Sequence, residues 1–339
     1  MAWLHRCGLA MVGLCAGASA AWALDVAEIG SFHVGGREVA LSGLAQQEIV
    51  FSAGAPPLKV DPNGQFEVEQ MYAQYVKLAN PKARYPLLLV HGGGLTGVTY
   101  ETKPDGKPGW QSFFLNQGHD VYVSDAVERG RASWARYPEI FKTEPMFRPK
   151  REAWELFRIG PTDSYAKRAN FDGTQFPLEA FDQFNKQGVP RWVTNDAPTI
   201  AAYEAYFRKV CPCVALAHSQ GGNLVLSAAL RVPELIKGVV LVETSGAPDP
   251  EKTDLAPFKS VPHLFVWGDH LKDFPFWVRV VGNVAKYRDG IRAVGGSADW
   301  VELPETGIKG NTHMMMMDRN SDQVAGVIQD WIGKHGLMR

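Results

Sequence analysis

Net charge is nearly absent from this chain, which sets 35 Lys and Arg against 36 Asp and Glu over 339 residues, with a pI near 6.8. Nothing in that balance would hold a polyanion, so nucleic acid is not an expected partner. Cysteine is scarce, at four residues, which excludes a disulfide-built scaffold. The apolar stretch over residues 7–17 is shorter than the roughly 20 residues that span a bilayer. Internal repeats and low-complexity tracts are lacking too. The composition that remains, 45% hydrophobic and 21% charged, is that of a soluble globular protein and excludes disorder, collagen and coiled coil. The length accommodates one large domain or two small ones with a sizeable core.

The first residues carry a different pattern. Arg6 precedes the short apolar stretch, and Ala18-Ser19-Ala20 and Ala21-Trp22-Ala23 then offer small-x-small cleavage sites. This predicts a signal peptide over residues 1–23 and a periplasmic or secreted protein over 24–339. No lipobox surrounds Cys7 or Cys15. Cleavage would leave 34 basic and 36 acidic side chains and two cysteines, Cys211 and Cys213. A bridge between cysteines only two residues apart needs a very tight ring, so two free core thiols are expected.

The rest of the chain divides by periodicity. Residues 32–41 alternate around Gly35-Gly36, which suits a hairpin turn, and Asp61-Pro62-Asn63-Gly64 suggests another turn between strands. Short continuous apolar runs follow: Tyr85-Pro86-Leu87-Leu88-Leu89-Val90, Val121-Tyr122-Val123, Val214-Ala215-Leu216-Ala217, Val239-Val240-Leu241-Val242 and Leu264-Phe265-Val266-Trp267. Such runs mark strands buried on both faces of a parallel sheet. Helical patterns occupy residues 196–210, with Asp196 as acidic cap, and the end of the chain after Asn320 or Ser321. The fold class is α/β, a mainly parallel sheet with helices on both faces preceded by β-hairpins. Residues 134–194 interrupt the alternation with 12 of the 37 aromatics. They form an expected insertion, an extra core layer or a cap over an apolar substrate pocket.

Chemistry gathers at the ends of the apolar runs. Ala217-His218-Ser219-Gln220-Gly221-Gly222 places a serine between a strand and a helix, with small residues two positions to either side, as a tight nucleophile turn requires. A serine needs a base and an oxyanion needs N–H donors. The Gln220 amide is one expected donor. The other comes from His91-Gly92-Gly93-Gly94, with Gly93 the first choice and Gly94 the alternative; neither a Lys-Ser/Thr pair nor a G-x-G-x-x-G spacing makes this loop a phosphate binder. The expected base is His313, 94 residues after Ser219 and before the last helix. The run from Met314 to Met317 reads as packing rather than metal binding. Two acids end apolar runs in the right order, Glu243 and Asp269. General habit among such folds favours Asp269.

These segments resemble the α/β-hydrolase superfamily and, within it, a group of secreted bacterial carboxylesterases. The likeness runs from about residue 85 to the C-terminus, through His91-Gly92, Leu95-Thr96-Gly97, Glu101-Thr102-Lys103-Pro104-Asp105-Gly106, Arg129-Gly130-Arg131, His218-Ser219-Gln220, Val242-Glu243, Gly268-Asp269-His270, Gly310-Asn311-Thr312-His313-Met314-Met315-Met316 and Asp318-Arg319-Asn320. In that group the triad acid is a glutamate after the sixth strand, which the resemblance carries onto Glu243, with Asp269 as runner-up. The chain departs from the group at Gly93-Gly94 and between Ala217 and Gly222. The expectation is a serine esterase acting through Ser219, His313 and Glu243, with Gly93 and Gln220 as oxyanion donors, no cofactor and no metal. Arg129, Arg131 and Glu101 are entrance candidates that more often serve structure. The expected substrate is a small neutral ester; a homodimer is left open and no membrane contact is expected after cleavage. The alternatives are a lactonase or aromatic polyester hydrolase with the same triad, and a silent binding protein on the same scaffold.

Overall fold

The computed structural model describes residues 24–339; the expected signal peptide lies outside the described residues. The chain runs β1 (Val26–Leu41), β2 (Gln47–Ile49), β3 (Leu58–Val60), β4 (Gly64–Leu78), β5 (Leu87–Val90), α1 (Trp110–Asn116), β6 (Val121–Asp125), α2 (Lys150–Leu156), α3 (Phe181–Asn185), α4 (Asp196–Val210), β7 (Cys213–His218), α5 (Gln220–Ala229), β8 (Ile236–Val242), β9 (His263–Trp267), α6 (Pro275–Ala293), β10 (Ala298–Glu302) and α7 (Ser321–Lys334). Eight strands form one sheet in the order β1-β4-β6-β5-β7-β8-β9-β10. The strands from β6 to β10 in that order are parallel, and β4 and β1 join antiparallel at one edge.

Alternation within each buried strand explains the continuous apolar runs. Ala215, Ala217, Val239 and Leu241 enter one core with Tyr203, Tyr206 and Phe207 of α4, Val225 of α5 and Trp277 of α6. Val214, Leu216, Val240 and Val242 point the other way, into a core with Trp110 of α1 and Val324, Ile328 and Trp331 of α7. Both faces need apolar residues because helices cover both. Segment 134–194 is split in role: Trp154, Phe157, Phe176, Phe181 and Phe184 belong to the second core, whereas Phe147 stays largely exposed. All four residues from Met314 to Met317 are fully buried in that core as well.

Four expectations need correction. Cys211 and Cys213 are disulfide-bonded rather than free. The chain leaves α4 through a cis Cys211-Pro212 peptide, and the two Cα atoms lie 4.4 Å apart, within the span that ordinary disulfides occupy. Gly35-Gly36 is not a turn: β1 continues straight through it, paired with β4. A Cβ on Gly35 would come within 2.9 Å of the Ala202 backbone, so this glycine permits close packing of α4 on the strand rather than a chain reversal. The turn at residues 61–64 does separate two strands, but they pair elsewhere, β3 with β2 and β4 with β1. Asp196 is the first residue of α4, and Asn195 occupies its N-cap.

Candidate active site

The parallel strands deliver their chemistry to one edge of the sheet. His91 follows β5, Ser219 follows β7, Glu243 follows β8, and Asp269 lies two residues past β9. This carboxyl edge is where ligand sites of parallel sheets form. Ser219 adopts φ 53° and ψ −125° as the N-cap of α5, a conformation that a non-glycine residue holds only when its surroundings enforce it. Its amide donates to Val242 O at 3.1 Å, and its carbonyl accepts from Ser245 N at 3.1 Å. Space around the turn explains the small residues. A side chain on Gly221 would collide with His91 O, and one on Gly222 with the Thr244 side chain.

His313 is fixed from several sides. Its Nδ1 lies 2.6 Å from Glu243 Oε2, its amide donates to Phe157 O at 2.9 Å, and its carbonyl accepts from His218 Nε2 at 2.9 Å. The ring contacts Trp277 and Phe157. Because an ionised carboxylate only accepts, Nδ1 carries the proton and Nε2 is the nitrogen left for chemistry. Burial pulls the imidazole below the ordinary histidine pKa, although the hydrogen bond from Nδ1 to Glu243 and the negative charge of that carboxylate act in the opposite direction. The ring is therefore neutral at pH 7.

Glu243 is completely buried. Its Oε1 accepts from Gly268 N at 2.7 Å and from Arg158 Nη2, while Oε2 faces His313. Burial alone would raise its pKa, but the Arg158 charge and the bond from His313 outweigh burial and hold it at about 2. Asp269, the alternative acid, is engaged elsewhere: its Oδ2 accepts from Asn311 N at 3.0 Å. It lines a different cavity, of about 570 Å³, whose lining includes neither Ser219 nor His313. The structure thus joins His313 to Glu243 and not to Asp269.

The loop after β5 is held by His91. Its Nε2 accepts from Ala126 N at 3.0 Å while Nδ1 bonds Gly92 O at 2.8 Å, and burial pushes its pKa down to about 4, so the ring is neutral and locked. Beyond it, neither Gly93 N nor Gly94 N donates to a protein acceptor among the described residues. The Gln220 amide opens α5 and, as at every helix start, has no intrahelical acceptor.

Ser219, His313, Gly93 and Gln220 line one pocket of about 120 Å³, walled by Phe157 and Trp277. A second, of about 330 Å³, adjoins it through Gly93, Arg148 and Phe157 and extends to Leu95, Phe147, Ala153 and Phe184. Segment 134–194 therefore supplies much of the wall. Arg129 and Arg131 do not stand at this entrance. Arg131 binds Asp125 at 2.8 Å and faces Glu101 at 3.5 Å, and Arg129 is buried with Nη1 directed to Pro190 O.

Sequence reasoning missed several supports. Arg158, fully buried, bridges Glu243 and Asp269 O, the latter at 2.7 Å, and stacks over Trp277. Asp318 accepts from Thr312 N, Thr312 Oγ1 and Asn311 Nδ2 at 2.8, 2.8 and 3.0 Å, fixing the loop that carries His313. Arg191 donates to the Gln220 side chain at 2.9 Å. Only Asp318 stood in a recognisable motif; the two arginines sit in segment 134–194, without periodic context. Among the described residues no group of three or more His, Cys, Asp and Glu side chains could hold a metal, and no helix is long and apolar enough to cross a membrane.

A mixed sheet of this order, with a strained serine after one central strand and a His–Glu pair beside it, defines the α/β-hydrolase class. The solved structure of a novel bacterial esterase is 35% identical, with a TM-score of 0.79 over 92% of this chain and 97% of that one. A probable secreted lipase, phiG, of a fungal species (strain ATCC 74256) is 27% identical over 327 residues, covering 80% of this chain and 88% of that protein. No family model matches. The chain belongs to the α/β-hydrolase superfamily and is a carboxylic ester hydrolase.

Proposed function

We propose that the protein is an exported serine esterase in which Ser219 is the nucleophile, His313 the general base and Glu243 its partner. The observation that carries the reading is the 2.6 Å contact between Glu243 Oε2 and His313 Nδ1 behind a pocket that Ser219 and His313 both line. Ser219 Oγ attacks the ester carbonyl as its proton passes to His313 Nε2. The tetrahedral oxyanion is received by the Gly93 and Gln220 amides, which start without protein acceptors. The C–O bond to the alcohol breaks as His313 returns the proton to the leaving oxygen, giving the acyl-enzyme and free alcohol. Water then enters, loses its proton to His313 and adds to the acyl carbon; the carboxylic acid departs as Ser219 regains its proton. Glu243 remains ionised and stabilises the imidazolium at each stage.

Residues 134–194 act as the cap, since Phe147, Ala153, Phe157 and Phe184 line the larger pocket, which suits the apolar part of a substrate. Export is supported by the cleavage pattern over residues 1–23, by the Cys211–Cys213 disulfide, a bond typical of oxidising compartments, and by the secreted lipase among its relatives. The test is Ser219→Ala in folded protein assayed on short-chain aryl esters. Turnover should fall on the order of 10⁶-fold, and retained activity would overturn the assignment.

A further inference from the structure

The walls of the two joined pockets carry charge of one sign only. Arg148, Lys150 and Arg191 contribute to them, and neither lining contains a carboxylate. Two of these cations are already balanced, Arg148 by Glu152 and Lys150 by Asp182 at 2.8 Å. Arg191 differs. Its Nη1 donates to the neutral Gln220 Oε1 at 2.9 Å, its Nε is buried without a partner, and among the described residues no carboxylate lies within 4.0 Å of it. Its position is built rather than accidental. The backbone of Arg191 pairs with Met146 through bonds of 2.7 and 2.9 Å, and the guanidinium lies so close over Gly93 that any side chain there would strike Nη1. Arg148, paired with Glu152, lines the same small pocket.

A half-buried guanidinium that no carboxylate touches, with Asp196 and Glu152 acting on it only from further off, has lost hydration that a bound anion would restore. Here the guanidinium adjoins the Gly93 amide, which would receive the ester oxygen. We propose that Arg191, with Arg148 beside it, selects esters bearing a carboxylate a few bonds from the scissile carbonyl, such as monoesters of short dicarboxylic acids. The guanidinium binds the free carboxylate and holds the ester carbonyl towards Gly93 and Gln220, while the larger apolar pocket takes the other end of the substrate. This choice departs from the neutral ester suggested by overall charge, because the balance of a whole surface does not report the charge of one cavity. The inference rests on the serine esterase reading.

The experiment compares monoethyl glutarate with ethyl pentanoate, its neutral counterpart of equal acyl length, by titrating the acid released at constant pH. The wild-type protein should favour the monoester in kcat/KM by about tenfold or more, the range expected of one charge-assisted contact, mainly through KM. Arg191→Gln should remove most of that preference, and Arg191→Lys should keep part of it. A wild-type preference for the neutral ester, or an Arg191→Gln variant that slows both substrates alike and leaves their ratio unchanged, would overturn the proposal. Ser219→Ala run beside these variants separates the two readings: loss of both activities upholds the nucleophile whatever the ratio, while retained turnover defeats the nucleophile assignment itself.

Discussion

Arg158 offers the sharpest quantitative test of how the site is held together. It is fully buried, pairs with the equally buried Glu243, and packs its guanidinium 4.9 Å from the Trp277 ring centre. Arg158→Met retains much of that packing and removes the charge. Glu243 would keep the Gly268 amide and His313 but would be a buried carboxylate short of its strongest counter-ion. Breaking a buried pair from one side costs about 3–5 kcal/mol, which for a chain of this size corresponds to a fall in Tm of roughly 5–8 °C by calorimetry or scanning fluorimetry. A second effect separates support of the site from simple folding. The positive charge of Arg158 lowers the pKa of His313 as well as that of Glu243, so its loss should move the acid limb of the kcat/KM profile to higher pH. Arg158→Lys, which keeps a charge without the planar fork, should fall between. A Met variant with wild-type Tm and an unmoved acid limb would refute the reasoning.

Other outcomes follow from the same geometry. Since burial lowers His313 below its ordinary value of 6.5, kcat/KM of the wild type should rise with pH through a midpoint under that value; a midpoint above it would contradict the neutral base. Glu243→Gln should lower kcat by about 10³-fold or more in protein that remains folded, whereas Asp269→Asn should cost far less, as steady-state assays of the two variants would reveal; the opposite order would return the acid role to Asp269. Because the folded pKa of Glu243 is depressed, its contribution to stability is complete above the ordinary value of 4.5 and is lost as pH falls towards about 2. The stability gap between wild type and Glu243→Gln, read from urea unfolding, should therefore close across that acid window.

Much of the framework was legible because burial on both faces writes itself into short stretches: each of the five apolar runs is a strand of the sheet. The tight turn at Ser219 was legible for a local steric reason, the demand for small residues at positions 217 and 221. Relations across the sheet were not. Glu243 and Asp269 both end strands, and only the three-dimensional path of the His313 loop joins one of them to the imidazole while Asn311 occupies the other. Arg158 and Arg191 come from an aromatic-rich segment with no regular period, so nothing local distinguishes them from solvated cations. The glycine pair in β1 misled because the residue that reverses a chain also admits a neighbouring helix. The cysteine pair misled because sequence separation does not disclose the path of the chain between α4 and β7.

The central claim is that Ser219 is an activated nucleophile. A fluorophosphonate, which modifies only serines made reactive by such a base, tests it directly. Intact-mass and peptide analysis should find one adduct per chain, on Ser219, with labelling abolished in Ser219→Ala and strongly slowed in Glu243→Gln. An unmodified protein, or an adduct on another residue, would contradict the account.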